Sequence, residues 1–166
     1  QLGAAKIFAT AGGFNKVRMN LAKKMGADMV LSARELGDDL VKVIREATDG
    51  DGVEVALEMS GDPTALKQAF RILTPGGRVS LLGIFDKELE IDLNNAVIFK
   101  SATVYGITGR RMFETWAQVS DLFKHAEFRE KIASIITHRI PMRDIAKGMD
   151  LIKSKQAAKV SLRPEW

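Results

Sequence analysis

Residues 53–84, with the sequence VEVALEMSGDPTALKQAFRILTPGGRVSLLGI, decide the fold. Val53–Met59 and Arg78–Ile84 are short apolar runs of the kind that form buried strands. Between them, Asp62 can cap a helix that has Pro63 at its first position, and the Thr-Pro-Gly-Gly run at 74–77 ends that helix. The stretch therefore predicts a strand, a helix and a second strand, joined by a right-handed crossover in a parallel sheet.

The chain before this stretch shows the same alternation. Lys6–Ala11 and Met29–Ser32 predict strands, while residues 15–25 and Leu36–Thr48 predict amphipathic helices with apolar side chains at helical spacing. Strands and helices that alternate in this way predict an α/β fold, a doubly wound parallel sheet of the Rossmann-like kind.

After Ile84 the pattern changes. Glu88–Leu93 alternates in polarity and predicts a short edge strand. Trp116 lies on the apolar face of a helix expected over 110–125, which predicts a core position for its side chain. Further elements are expected as a strand at Ala102–Thr108, a helix at Arg143–Lys153 and a closing strand at Lys159–Leu162. The sequence shows no repeat, low-complexity linker or obvious second domain.

The composition excludes several classes of protein. The chain has 166 residues, 46% of them hydrophobic, which suits one domain with a core and is too apolar for a disordered chain. No apolar run approaches the roughly 20 residues that cross a bilayer, and no signal peptide opens the chain, so we expect a cytoplasmic protein with no membrane partner. The net charge of +4 is spread over nearly every segment, which argues against a nucleic-acid partner.

The carboxyl ends of the expected strands are rich in glycine and small residues. Ligands of open parallel sheets bind beyond these ends, and glycine lets the backbone approach a ligand closely. At any single end glycine could equally serve a tight turn, but its recurrence predicts a ligand cleft. The ends are Thr10-Ala11-Gly12-Gly13, Ser60-Gly61, Leu82-Gly83-Ile84 and Ile107-Thr108-Gly109.

The end of the first strand bears on which ligand would bind. A domain that binds NAD usually places an Asp or Glu here for the adenosine ribose, whereas this turn begins with Thr10 and small neutral residues. Lys16 and Arg18 follow, and cationic donors suit the 2′-phosphate of NADP. The alternative is that both are ordinary solvent-facing residues of the first helical turns.

Candidates for catalysis and metal binding are few. His125 and His138 lie in different segments without a partner at ligand spacing, and the chain has no Cys, so the sequence predicts no metal site. Glu58, near a strand end, is the better candidate for a functional carboxylate, with structural pairing as the alternative. We assign no catalytic residue.

Several stretches carry a likeness to a known family. They are Leu21–Asp28 (LAKKMGAD), Leu57–Pro63 (LEMSGDP), Gly76–Ile84 (GGRVSLLGI) and Ile98–Trp116 (IFKSATVYGITGRRMFETW), followed by Ile135–His138 (IITH). Together they resemble the C-terminal, nucleotide-binding part of the zinc-dependent medium-chain dehydrogenases, and within that family the L-threonine 3-dehydrogenases. The likeness covers essentially the whole chain.

The resemblance implies a fragment. In the family, the chain ahead of this point carries a catalytic domain with the zinc ligands, then the first Rossmann strand and its Gly-rich phosphate loop. We therefore expect residues 1–166 to form a partial Rossmann domain whose strands at 6–11 and 53–59 have unpaired edges, which pair with each other or with another chain. Residues from about 123 to 166 are expected to expose apolar surface that packs on the absent catalytic domain. Both features, and a subunit contact near Ala102–Thr108, favour a homo-oligomer.

The resemblance also implies a function. The family oxidises a secondary alcohol, here the β-hydroxyl of threonine, by hydride transfer to NAD or NADP, using a zinc ion that this chain is not expected to bind. Alone, the chain is expected to bind nicotinamide dinucleotides weakly and to be inactive. A related alcohol or polyol dehydrogenase, an NADPH-dependent reductase and a non-catalytic binding or assembly module are the alternatives. The expected cofactor-binding residues are Thr10, Lys16, Arg18, Ser60, Gly61, Leu82, Gly83, Ile84, Ile107 and Thr108.

Overall fold

The computed structural model describes residues 3–12, 15–109 and 111–165. Its strands are β1 (Phe8–Ala11), β2 (Met29–Ser32), β3 (Val53–Glu58), β4 (Leu73–Leu81), β5 (Thr103–Gly106), β6 (Ile136–Pro141) and β7 (Lys159–Arg163). Its α-helices are α1 (Lys16–Met25), α2 (Ala33–Leu36), α3 (Asp39–Glu46), α4 (Pro63–Ile72), α5 (Glu114–Leu122), α6 (Ala126–Ser134) and α7 (Ile145–Lys153). A π-helix at Asn94–Ile98 and a 3₁₀ turn at Met142–Asp144 are also present.

The chain divides into two compact units, one formed by Gln1–Ser32 with Arg110–Trp166 and the other by Ala33–Gly109. In the first unit β1 pairs with β2 and β6 pairs with β7, and in the second β3, β4 and β5 form one sheet in that order. Every pairing between described strands is parallel, which confirms the predicted α/β class.

β1 and β3 each have a strand partner on one side only within the described residues. The unpaired edges that the sequence predicts are therefore present. β1 and β3 belong to different sheets, in different units. Pairing of either edge with another chain stays a prediction.

One face of the β3–β4–β5 sheet is buried under α4. Ala56 and Val79 are in register on adjacent strands and therefore point to the same face. They pack with Leu66, Phe70 and Leu73 in a cluster whose members are all at most 9% exposed. This cluster fixes the strands of the sheet relative to the helix above them.

The opposite face of the same sheet is apolar and open. Val55 and Leu57 alternate with the buried residues of β3 and point away from α4, and they are 53% and 60% exposed. Tyr105 lies on the same face two strands away and is also exposed. This unit therefore presents an apolar sheet surface that its own described residues leave uncovered.

The sequence sets the start of α4 as predicted. Asp62 Oδ1 accepts hydrogen bonds from the backbone N–H groups of Thr64 at 2.7 Å and Ala65 at 3.1 Å. Pro63 occupies the first turn, where its missing N–H costs nothing.

Two cationic side chains donate hydrogen bonds at the C-terminal end of α4. Lys100 Nζ donates to the carbonyl oxygens of Phe70 and Leu73, and Arg45 Nη2 donates to that of Arg71 at 2.8 Å. The last turn of a helix leaves its carbonyls without N–H partners, and positive charge is favourable there. Lys100 and Arg45 thus replace the missing donors.

Several elements differ from the sequence prediction. Glu88–Leu93 forms no strand, and at its end Asp92 accepts hydrogen bonds from the N–H groups of Asn94 and Asn95 at the start of the π-helix. The helix expected over Leu36–Thr48 is α3, which begins only at Asp39, since Gly37 adopts a φ of +52° between α2 and α3. The sequence pattern does not predict α6 or β6.

The expected core position of Trp116 is also wrong. Its side chain is 60% exposed on α5, because the described residues of its own unit leave that face of the helix uncovered. None of the described helices is both long and apolar enough to cross a bilayer.

Candidate functional site

The carboxyl ends of β3, β4 and β5 meet at one edge of their sheet. Glu58 is in register with Leu81, and Leu81 is in register with Gly106, so the strands end level with one another. The ladder continues beyond the strands, because Leu82 N donates to the Glu58 carbonyl at 2.8 Å and Ile107 N to the Leu81 carbonyl at 2.9 Å. The segments that follow the strands therefore lie side by side.

Most of the sequence-predicted site residues lie on these adjacent segments. Leu82, Ile84 and Ile107 expose apolar side chains there, with Ile84 89% exposed. Aliphatic side chains beside small residues form the kind of surface on which a flat ring can rest. The predicted residues brought together are Ser60 and Gly61 after β3, Leu82, Gly83 and Ile84 after β4, and Ile107 and Thr108 after β5.

Gly61 and Gly83 bring the first two segments into backbone contact. Gly61 has a φ of +72°, and a Cβ on it would overlap the carbonyl oxygen of Ile84. A Cβ on Gly83 would overlap the amide nitrogen of Gly61 and Oε2 of Glu58. At these two positions glycine serves the packing of the turns against each other, a role in addition to the tight turn that the sequence offered as the alternative.

Glu58 lies beneath both turns. Its side chain is 3% exposed, and its carboxylate accepts hydrogen bonds from the backbone N–H of Ser60 at 2.8 Å, from that of Gly61 at 3.1 Å and from the Ser60 hydroxyl. The Ser60 hydroxyl in turn accepts a hydrogen bond from the N–H of Asp62 at 3.1 Å. The buried charge is therefore compensated by hydrogen-bond donors within the turn that follows it.

The other predicted site residues belong to the first unit. Thr10 lies in β1 in register with Leu31, and its side chain is exposed. Lys16 and Arg18 are exposed on the first turn of α1, which carries no acidic residue, and Asn15 caps that turn by accepting a hydrogen bond from the Arg18 N–H at 3.1 Å. Within the described ranges no ion pair includes either cation. Gly13 and Phe14, part of the predicted turn, lie outside the described residues.

The two histidines lie in different elements. His125 precedes α6 and is exposed, while His138 lies in β6 with its Nδ1 3.0 Å from the hydroxyl oxygen of Thr137. In the part of the chain that the structure describes, no group of three or more His, Asp or Glu side chains could hold a metal ion, and the sequence has no Cys. These residues do not fit a zinc site.

An open groove of about 600 Å³ lies between α3 and α4, near the start of β3 rather than its end. Both arginines that line the groove already have partners. Arg71 pairs with Asp38 at 2.9 Å, and Arg45 Nη1 donates to the Gly50 carbonyl at 2.8 Å. The groove therefore offers a ligand fewer free polar groups than its composition suggests.

A family model and individual relatives all match this chain to dehydrogenases. Residues 1–125 match the family described as zinc-binding dehydrogenase. L-Threonine 3-dehydrogenase of Caldanaerobacter subterraneus is 43% identical over 162 residues, which is 98% of this chain and 45% of that protein. L-Threonine 3-dehydrogenase of Pyrococcus furiosus is 46% identical over 147 residues, or 88% of this chain and 41% of that protein.

A solved structure shows the same fold. The crystal structure of an alcohol dehydrogenase from Thermotoga maritima matches with a TM-score of 0.81 and 30% identity, covering 99% of this chain and 44% of that one. The chain thus spans less than half the length of the relatives that it matches, and it corresponds to their C-terminal part.

Proposed function

We propose that this chain, which belongs to the zinc-binding dehydrogenase family, is the nucleotide-binding part of an oxidoreductase that transfers hydride between a secondary alcohol and a nicotinamide dinucleotide. The observation that carries the proposal is that β3, β4 and β5 end level at one edge. Ligands of open α/β sheets bind beyond such an edge.

The proposed coenzyme contacts follow from the side chains at this edge. Leu82, Ile84 and Ile107 would supply apolar surface to a ring, and the small residues of the turns would let the backbone approach it closely. The nicotinamide supplies the hydride acceptor when bound. Because the described residues do not fit a zinc site, no step of the reaction is assigned to a metal held by this chain.

L-Threonine is the proposed substrate. The relatives that are 43% and 46% identical are L-threonine 3-dehydrogenases, which favours threonine over the alcohol substrate named for the structural neighbour at 30% identity. A related alcohol or polyol dehydrogenase is the second candidate. The exposed apolar stripe of α7, formed by Ile145, Met149 and Ile152, is proposed to pack on the catalytic domain of the whole enzyme.

Whether this chain can complete a threonine dehydrogenase can be tested with a chimera. This chain would replace the corresponding C-terminal part of the Pyrococcus furiosus relative. We expect threonine-dependent NADH formation by the chimera and none by the isolated chain, to which no catalytic residue is assigned. A chimera that folds and binds NADH, yet oxidises other secondary alcohols and not threonine, would contradict the threonine proposal.

The proposed coenzyme is NAD, as the family resemblance implies, and the end of the first strand makes NADP the second candidate. Thr10 and its small neighbours replace the usual ribose-binding acid, and Lys16 and Arg18 lie exposed without an ion pair among the described residues. If these cations bind a 2′-phosphate, the Lys16→Ala and Arg18→Ala substitutions together weaken NADPH binding by about tenfold or more and leave NADH binding unchanged. An equal loss of NADPH binding and of NADH binding would show that the two cations have another role.

A further inference from the structure

We propose that Glu58 is a positioning residue for the coenzyme site. The inference rests on the proposed function and deepens it, because it gives a role in coenzyme binding to a buried carboxylate that the hydride-transfer chemistry does not use.

The first argument is the cost of burying this charge. Glu58 is the last residue of β3 and is 3% exposed, and none of the ion pairs between described residues includes it. A buried carboxylate without a cation must be compensated by hydrogen-bond donors. All the donors found here come from Ser60 and Gly61, residues of the proposed site.

The second argument is what these bonds do to the turn. The N–H groups of Ser60 and Gly61 and the Ser60 hydroxyl are directed back at the carboxylate of their own strand end. Their donors are therefore used within the protein and are not available to a phosphate. The turn can therefore contact a coenzyme only through its outer backbone surface. Glu58 fixes the position of that surface.

The third argument is that the same carboxylate touches the neighbouring segment. Glu58 Oε2 lies so close to Gly83 that a Cβ there would overlap it, and that Cβ would also overlap the Gly61 amide. The Gly83 N–H also donates to the Glu58 carbonyl at 3.2 Å. One side chain thus sets the spacing between the turns after β3 and β4, on which the proposed coenzyme would rest.

The test uses the isotope-labelled chain and nuclear magnetic resonance. Amide exchange rates and NADH-induced shifts are measured for wild type, Glu58→Gln and Glu58→Ala. Glu54→Gln, an exposed glutamate on the same strand, is the matched control. Gln keeps the shape and one acceptor oxygen, so it keeps the proposal testable if Ala fails to fold.

The expected result is graded. Glu58→Ala raises the NADH dissociation constant by about tenfold and speeds amide exchange at Ser60, Gly61 and Gly83 by at least as much. Glu58→Gln changes the NADH dissociation constant and the exchange rates by less, and Glu54→Gln leaves the dissociation constant and the exchange rates unchanged. A merely structural role would instead speed exchange along the whole of β3 and β4.

Two outcomes would overturn the proposal. One is unchanged exchange at these amides in both Glu58 variants, and the other is faster exchange with NADH affinity still at the wild-type value. Wild type that binds no NADH would contradict the proposed function and the coenzyme role of Glu58 with it. The exchange rates in the same samples would then show separately whether Glu58 holds the turns.

Discussion

Gly83 and Gly106 occupy comparable places, just after β4 and at the end of β5, yet their surroundings differ. A Cβ on Gly83 would overlap backbone of Gly61 and the carboxylate of Glu58, whereas a Cβ on Gly106 would meet nothing within 4 Å. The comparison separates a glycine required by packing from one that the local geometry does not require.

The Gly83→Ala substitution is expected to lower the free energy of unfolding by about 1–3 kcal/mol, because the Gly61 backbone and the Glu58 carboxylate must move to admit a methyl group. Gly106→Ala is the control, with an expected change within about 0.5 kcal/mol. Urea unfolding followed by circular dichroism measures both. Equal stability of the two variants would contradict the close contact between the turns.

Lys100 is expected to stabilise the end of α4. The Lys100→Met substitution leaves the carbonyls of Phe70 and Leu73 without this donor and should cost about 1–3 kcal/mol in unfolding free energy. Lys87→Met, at an exposed lysine, is the matched control. An equal loss in the two variants would show that the hydrogen bonds of Lys100 add nothing.

At the scale of elements, Asp92 decides how the chain enters the π-helix. Hydrogen bonds from the Asn95 side chain and from the N–H groups of Asn95 and Asn94 hold the pKa of Asp92 below its usual value. A carboxyl whose pKa is lower in the folded chain stabilises the fold above its unfolded pKa. That contribution is lost as the pH falls through the lowered value.

The Asp92→Ala substitution should therefore reduce stability at neutral pH and make little difference in acid below the lowered pKa. Thermal unfolding measures the difference in melting temperature between wild type and variant, from neutral pH to a pH below the lowered pKa. A difference in melting temperature that does not change with pH would show that the charge of Asp92 does not stabilise this segment.

Elements with a local chemical signal could be predicted from the sequence. β2 has the predicted bounds, and α4 begins with the predicted Asp62 cap. The prediction of a strand at Glu88–Leu93 was wrong, because alternating polarity does not reveal whether a neighbouring strand exists to pair with. The Lys100 contacts could not be predicted, since they join residues about 30 positions apart and leave no periodic pattern.

The site was predictable to a similar degree. The rule that ligands bind beyond the ends of parallel strands identified Ser60, Gly83 and Ile107, and the structure places their segments side by side. Coenzyme binding by these residues stays a prediction. The sequence offered structural pairing as the alternative role of Glu58, but it did not identify Ser60 and Gly61 as the partners, because sequence spacing does not show which way a buried carboxylate turns.

At the scale of the whole molecule, open strand edges and the uncovered sheet face carrying Val55 and Leu57 favour association of the chain with itself or with other protein. Replacing both residues with Lys is expected to shift the chain toward the monomer in sedimentation velocity. Glu54→Lys, on the same strand and already exposed, is the control. A wild-type chain that is monomeric at all concentrations would contradict the expected homo-oligomer.

The central claim is that the edge formed by the ends of β3, β4 and β5 binds a nicotinamide dinucleotide. An NADH titration of the isotope-labelled wild-type chain, followed by amide chemical shifts, tests it most directly. We expect weak, saturable shifts at Gly61, Gly83 and Ile107, with the groove around Arg71 unaffected. Shifts confined to that groove, or none at the strand ends, would contradict the claim.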